Sequence, residues 1–305
     1  MKFEKIVIHA GVFHADDALC VAMAQMLWPD IKIERVVKVP ENIGANVLVA
    51  DIGGGKFDHH QADAPVRGDG FPHCAASLMW KAFGSAVVKN IGTTLSSKQV
   101  NRVVMQVDAE LFRSVSAIDN GCNKSKSANG VLGAADVFSL NSMVAQFNPA
   151  WNSAHDAEAC FLEAVRFVRD ILTRMIERKV SVAEGENMVA KACEEAAENG
   201  TPEIIVLPTY IPWQSYICRN IPKALVVVFP TLRGGYNVQL VPIAANSFET
   251  RTKMPTEWYG KSEGEAEKLM DGMTFCHKSG FLAAFTGKEA AMNAAKYIAA
   301  NNSIR

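Results

Sequence analysis

Histidine and aspartate recur together in the N-terminal half of this chain, at spacings that could gather divalent cations. His9 ends a short apolar run, Ile6-Val7-Ile8. The next turn, Gly11-Val12-Phe13-His14-Ala15-Asp16-Asp17, adds an imidazole and two carboxylates. Asp51 ends a second apolar run, Val47-Leu48-Val49-Ala50, and Gly53-Gly54-Gly55 separates it from Asp58-His59-His60. Asp119 stands in Ile118-Asp119-Asn120-Gly121, and its place beside the others does not follow from pattern alone. Imidazole nitrogen and carboxylate oxygen without thiolate suit Mn²⁺, Mg²⁺, Co²⁺, Fe²⁺ or Zn²⁺, and argue against a structural zinc. Two such ions about 3.5–4 Å apart clamp the attacking and leaving oxygens of an in-line displacement. Asp16, Asp51 and Asp119 would cancel three of their four charges, leaving positive charge for a phosphate. Singly, each residue has an ordinary explanation. Asp16 or Asp17 is a helix N-cap or first-turn acid, Asp119 a turn residue, and a lone strand-end histidine a satisfied polar group. Their convergence is what points to chemistry.

That convergence needs a particular scaffold. Ile6-Val7-Ile8 reads as a buried strand, Asp16 to Leu27 as a helix closed by Trp28-Pro29, and Ile31 to Val37 and Val47 to Ala50 as further strands. Helices are expected over Ser77 to Phe83, stopped by Gly84, and over Ser96 to Ala117. Strands alternating with helices predict an α/β fold with a parallel sheet, whose carboxyl edge forms the usual crevice for ligands. His9 and Asp51 would lie on that edge, and the three glycines would turn Asp58-His59-His60 back to it. Ser153 to Glu198 is amphipathic, with Phe161, Val165, Val168, Leu172, Met175 and Ile176 on one stripe and Gly185 as a candidate break. Asn199-Gly200-Thr201-Pro202 opens a second, α+β unit. It has strands at Ile204 to Leu207, Ala224 to Phe229 and Tyr236 to Val241, a Gly234-Gly235 hairpin and a closing helix from Lys288 to Ala300. The expected organisation is a metal-binding catalytic domain over 1–152, a helical connector over 153–199 and a substrate-binding domain over 200–305.

Composition narrows the class of protein. The 305 residues are 49% hydrophobic and 21% charged with a formal net charge of −1. That is globular, and it lacks the overall basic field of a duplex-binding protein. Cys20, Cys74, Cys122, Cys160, Cys193, Cys218 and Cys276 are odd in number and include no CxxC pair, which predicts reduced thiols and a cytoplasmic location. No signal peptide or membrane span is expected.

The segments resemble the DHH phosphoesterase superfamily, and within it the melanocyte-proliferating-gene family of metal-dependent hydrolases. The likeness is carried by His9-Ala10-Gly11-Val12-Phe13-His14-Ala15-Asp16-Asp17, Asp51-Ile52-Gly53-Gly54, Phe57-Asp58-His59-His60-Gln61 and Ile118-Asp119-Asn120-Gly121. It continues through Phe147-Asn148-Pro149-Ala150-Trp151-Asn152, Ser247-Phe248-Glu249-Thr250-Arg251, Pro255-Thr256-Glu257-Trp258 and His277-Lys278-Ser279-Gly280-Phe281. The family usually has Cys at the position of Ala15 and Glu at that of Asp17. The resemblance implies a parallel-sheet catalytic domain, a smaller C-terminal substrate domain and a cleft between them. It also implies two divalent cations, most readily Mn²⁺, held by His9, His14, Asp16, Asp51, His59 and Asp119, with Asp51 bridging. His60 would contact the scissile phosphate and Asp58 would orient a ligand. Arg251, His277, Lys278, Ser279 and Gly280 would bind substrate, the arginine by paired hydrogen bonds and the Ser-Gly step through backbone N–H groups. Family members have been linked to 3′–5′ RNA exonuclease activity, so short single-stranded RNA or a nucleotide is the expected substrate. The alternatives are a small-molecule phosphatase or pyrophosphatase, and a metal-binding regulatory protein without catalysis.

Overall fold

The computed structural model describes residues 2–121 and 139–301. The chain divides into two compact units, Met1–Val180 and Ser181–Arg305, with the border inside a long helix.

The N-terminal unit is built on three parallel strands in the order β2 (Lys32–Val36), β1 (Lys5–His9), β3 (Val47–Val49). Lys5 pairs with Lys32 on one side and Val47 on the other, so all three strands run out toward the same edge. Ile6, Val7 and Ile8 are buried, as a central parallel strand requires. Helix α1 (Ala15–Leu27) leaves that edge, and its segment Ala18–Ala24 is wholly buried.

Helix α2 (Ala75–Ile91) runs through Gly84 and ends at Gly92, against the expected stop at Gly84. The reason is packing: a Cβ at residue 84 would sit 2.8 Å from the Trp80 ring, so the glycine makes room for a buried indole. That ring stacks on Phe112 at 4.8 Å and donates Nε1–H to the Val104 carbonyl. The expected helix from Ser96 to Ala117 is a composite. It comprises α3 (Ser97–Val107), one π-helical turn at Asp108–Phe112, and α4 (Arg113–Asp119). A π turn inserts a residue and rotates the next helical segment about the axis, so it sets the direction in which Asp119 leaves the run. A short helix, α5 (Leu140–Ala145), follows in the same unit.

Helix α6 (Ala157–Glu198) is continuous for 42 residues. Phe161, Val165, Val168, Leu172 and Ile176 bury the stripe read from the sequence. Gly185 does not break it, because a Cβ there would lie 2.5 Å from Ile211 Cγ2 and the helix needs the bare backbone at that contact.

The C-terminal unit contains a five-stranded mixed sheet in the order β4 (Ile204–Val206), β5 (Val226–Pro230), β6 (Tyr236–Leu240), β8 (Leu282–Phe285), β7 (Met273–Cys276). Only β4–β5 is parallel. Strands β7 and β8 are too short and too mixed in pattern to be read from the sequence. Alternate residues of β5 feed two cores. Val226 and Val228 meet Ala291, Ala294, Ala295 and Ile298 of α9 (Lys288–Ala300). Val227 and Phe229 lie in the other core with Trp213, Ile217 of α7 (Gln214–Asn220) and Val189. Helix α8 (Glu263–Glu267) precedes β7.

Cys20, Cys74, Cys160, Cys193, Cys218 and Cys276 are free thiols, and Cys122 lies outside the described residues. Among the described residues no helix is long and apolar enough to cross a membrane.

Both glycines of the β5–β6 turn have left-handed backbone, but they differ in surroundings. A Cβ at Gly235 would lie 2.3 Å from the Phe285 carbonyl oxygen, whereas one at Gly234 would meet nothing within 4 Å. Gly234→Ala is expected to cost about 1 kcal/mol for left-handed strain alone, and Gly235→Ala about 3 kcal/mol or more because backbone must also move. Urea unfolding of the two variants, side by side, measures the difference.

Candidate metal centre

Each side chain of the candidate centre is delivered by an element end. His9 closes β1, and Asp51 comes two residues after β3. Asp51 has φ +58, a left-handed conformation costly for a residue with a Cβ and concentrated at functional sites. Gly53 (φ +88) and Gly54 (φ +70) continue the reversal, and Asp51 N–H closes it on the Phe57 carbonyl at 2.8 Å. The Asp58 carboxylate then accepts from the backbone N–H of Gly54 (2.6 Å), His59 (2.7 Å) and His60 (3.1 Å). These bonds hold the triplet against the sheet edge. Burial acts to raise the Asp58 carboxyl, but the Gly54 N–H and the His60 contact outweigh it and hold the group below its ordinary value.

Two carboxylates come from the first turn of α1, and both also satisfy backbone N–H groups. Asp17 Oδ1 accepts from His14 N (2.9 Å) and Ala18 N (2.8 Å), capping its own helix. Asp16 is fully buried and accepts from Ala75 N (2.9 Å) and Ala76 N (2.6 Å), so it caps α2 from a different helix. The positive end of α2 thus faces a carboxylate. Even so, burial drives the Asp16 carboxyl well above its ordinary range, and Asp51 and Asp119 push the same way.

The donor atoms meet closely. His9 Nε2 lies 2.9 Å from Asp17 Oδ2 and 3.4 Å from Asp51 Oδ2. His59 Nε2 lies 3.2 Å from Asp51 Oδ1, 3.2 Å from Asp119 Oδ2 and 3.4 Å from Asp16 Oδ2. Asp51 therefore shows one oxygen to each histidine. His60 Nδ1 bonds Asp58 Oδ1 at 2.7 Å, with most of its ring open to solvent. Among the described residues, ligand-competent atoms fall into three groups, the last two sharing His59: His9 with His14 and Asp17, Asp51 with His59 and His60, and Asp16 with His59 and Asp119. A cavity of about 880 Å³ opens over them.

The set fits divalent cations on two observations. Asp17 Oδ2 and Asp51 Oδ1 are buried and accept no hydrogen bond, although an imidazole nitrogen is within 3.2 Å of each. Lone pairs that are close to a nitrogen but not aimed at it suit a shared third atom. Second, the carboxylates disturb their neighbours strongly. The Asp17 contact, then Asp51, raises His9 to about 10. Burial would lower His59, but Asp51, Asp16 and Asp119 raise it to about 9. Burial also raises Asp119, with Asp51 adding to it. Asp51 goes the other way: burial would raise it, but the imidazoles of His59 and His9 hold it below its ordinary value.

The structure thus brings His9, His14, Asp16, Asp51, Asp58, His59, His60 and Asp119 to one edge. It adds Asp17, which adjoins Asp16 in sequence and reads there only as a first-turn acid. It also brings Arg35 and Asn148 to the backbone around His14. Asn148 belongs to the Phe147–Asn152 motif, which carries no role by itself, and Arg35 has no sequence signal. In the C-terminal unit, His277, Lys278, Ser279 and Gly280 form the β7–β8 loop. His277 Nδ1 pairs with Ser279 Oγ at 2.7 Å, and Gly280 has φ +65. Arg251 is engaged with backbone: its guanidinium donates to the carbonyls of Cys218, Ile221, Pro222 and Ala224 and closes the end of α7.

Comparison with known proteins places the chain. A family model named MYG1_exonuc and described as Uncharacterised protein family (UPF0160) matches residues 5–298. The chain belongs to this family. It is 28% identical over 326 residues to the MYG1 protein YER156C of Saccharomyces cerevisiae, covering 96% of this chain and 95% of that protein. It is 27% identical over 321 residues to the MYG1 exonuclease of Mus musculus, covering 96% and 84%. To the MYG1 exonuclease of Homo sapiens it is 26% identical over 328 residues, covering 98% and 86%. No solved structure matches it. The segment matched by the family model contains every residue of the centre.

The raised histidines give a testable consequence. With values of about 10 and 9, His9 and His59 both carry a proton near pH 7 in the metal-free chain. A cation can take those nitrogens only as the protons leave, so affinity should rise with pH up to about 9–10. Calorimetric Mn²⁺ titrations at pH 7 in buffers of different ionisation enthalpy should report release of about two protons. Binding heats that do not change with buffer would contradict the assignment of His9 and His59.

Proposed function

We propose that this chain is a metal-dependent phosphoesterase of nuclease type, hydrolysing short RNA or nucleotides with two divalent cations in a DHH-type catalytic domain. The observation that carries the reading is Asp51, which turns one oxygen to His9 and the other to His59 at 3.4 and 3.2 Å. A carboxylate so placed can join two cation sites. His9, His14 and Asp17 would serve one site and Asp16, His59 and Asp119 the other, with Asp51 common to both. Mn²⁺ is the first ion to test, because oxygen and imidazole ligands without thiolate suit it. The name of the mammalian relatives, MYG1 exonuclease, supports the nuclease class, and 3′–5′ polarity on RNA is the specific form we propose.

When bound, two divalent cations would supply charge to the attacking and leaving oxygens of a phosphodiester. The protein's own groups supply the rest. Asp58 receives His60 Nδ1–H, which fixes one tautomer and turns Nε2 outward, where it can hold a phosphate oxygen or hand over a proton. Fully ionised, Asp16, Asp17, Asp51 and Asp119 would together carry four negative charges, enough to balance two divalent ions. An anionic substrate then needs further positive groups, and His277 and Lys278, with Ser279 and the Gly280 N–H, are the proposed ones. Arg251 would act with them by holding the end of α7. The cavity of about 880 Å³ has the size of a small-ligand site, which together with a net charge of −1 keeps a mononucleotide or pyrophosphate hydrolase as the second reading.

His60→Ala is expected to lower turnover of a 5′-labelled oligoribonucleotide with Mn²⁺ by about 10²–10⁴-fold while leaving cation uptake intact. The same assay run on pyrophosphate and mononucleotides separates the two readings. Wild-type turnover by His60→Ala on every substrate of the panel would refute the assigned role.

A further inference from the structure

The loop from Ala10 to His14, between β1 and α1, has no helix or strand of its own, yet much of its backbone is held. Ala10 N–H donates to the Val36 carbonyl at 2.8 Å, and His14 N–H to Asp17. Further groups are taken by two side chains far away in sequence. Arg35, on β2, donates from Nη2 to the Gly11 carbonyl at 2.7 Å and from Nε to the His9 carbonyl at 3.3 Å. Its third arm reaches Glu158 at 2.8 Å, and its guanidinium lies over the Phe161 ring at 4.3 Å. The Arg35 side chain is 2% exposed. Asn148 grips Phe13 from the other side. Its Oδ1 accepts Phe13 N–H at 3.0 Å and its Nδ2 donates to the Phe13 carbonyl at 2.8 Å.

Together the two side chains take the carbonyls of residues 9 and 11 and both backbone groups of residue 13. Gly11, at φ +99, makes the sharp step between them. The grip is one-sided with respect to the centre. Asp16, His59 and Asp119 are held instead by the α2 N–H groups, by the Asp58 turn and by the end of α4 respectively.

We infer that Arg35 and Asn148 form a backbone clamp that positions His9 and His14, and so set the affinity of one cation site without setting the other. Both are positioning residues, and neither is a ligand. The inference rests on the two-cation reading above. A buried arginine satisfied by two carbonyls and a carboxylate does not swing away cheaply, and an amide that bonds both groups of one residue blocks rotation of the adjoining peptide. The backbone that carries His9 and His14 is thereby held before a cation arrives, and that preorganisation is what binding would otherwise have to supply.

The test measures cation binding rather than turnover. Chelator-treated wild type, Asn148→Ala, Arg35→Lys and Glu158→Gln are titrated with Mn²⁺, with His14→Ala and Asp119→Ala as references for the two sites. Melting curves in chelator identify the variants that remain folded; Glu158, more than half exposed, keeps one safe member in the set. Asn148→Ala is expected to weaken one site about 10- to 100-fold and leave the other unchanged. Arg35→Lys should act in the same direction, and Glu158→Gln less strongly. Asn148→Ala should add nothing in the His14→Ala background and act independently of Asp119→Ala. Folded variants that weaken both sites alike, or neither, would overturn the clamp. A wild type that takes up fewer than two Mn²⁺ ions would instead overturn the two-cation reading, so the two failures are distinguishable.

Discussion

The constraint on which this structure depends is the confinement of like charge. Asp16, Asp17 and Asp51 are almost fully buried, Asp119 is nearly so, and His59 Nε2 alone stands within 3.4 Å of three of these carboxylates. Carboxylates this close cannot all ionise without compensation. Metal-free, the chain compensates by protonation, with His9 and His59 raised and Asp16 pushed toward the neutral acid. Divalent charge is the other way to relieve the same crowding. Protonated imidazoles and bound cations are therefore competing solutions to one electrostatic problem, and the fold must stay intact under both.

It does so because the acids are tied to backbone as well as to one another. Asp16 holds the first N–H groups of α2, Asp17 those of α1, and Asp58 three N–H groups of the turn after β3. Each bond satisfies a donor that would otherwise be stranded at a helix start or a tight turn. The carboxylates that crowd the centre therefore also cap the helices around it. Removing Asp16 loses a ligand candidate and uncaps a helix at once, whereas His60, more than half in solvent, caps no helix and its loss removes the pair with Asp58 and the ring contact with His59.

Much of this was legible in the sequence because strand ends are legible. Ile6-Val7-Ile8 and Val47-Leu48-Val49 are unbroken β-branched or leucine runs, and in a parallel sheet their carboxyl ends share an edge, which places His9 and Asp51 together. Gly53 and Gly54 read as a reversal and have the left-handed backbone that a reversal needs. The amphipathic stripe of α6 is read correctly because 3.6-residue periodicity survives along a helix whatever it packs against. Other features depend on contacts between distant segments and were not legible. Gly185 looks like a helix stop but accommodates Ile211 from a later segment, which no local pattern reveals; Gly84 makes room for Trp80 one turn earlier in the same helix, a contact set by the burial of that indole. The π turn at Asp108–Phe112 leaves no periodic trace. Arg35 carries no sequence signal, because its burial against Phe161 is a fact of tertiary structure alone.

Asp17 combines the legible and the hidden in one side chain. From sequence it is a first-turn acid, and one methylene shorter than the glutamate that the family resemblance implies at this position. In the structure it is that acid, since Oδ1 caps the helix. Its second oxygen is buried, unbonded and 2.9 Å from His9. The shorter side chain still reaches because the cap bond pins it to the start of α1, and the clamped loop carries His14 to the same helix start. Asp17 thus adds a fourth carboxylate to Asp16, Asp51 and Asp119 and deepens the crowding of like charge at the sheet edge. The balance at the centre is therefore a property of one helix start: a single residue both caps α1 and turns a buried, unpaired carboxylate oxygen to the strand-end histidine.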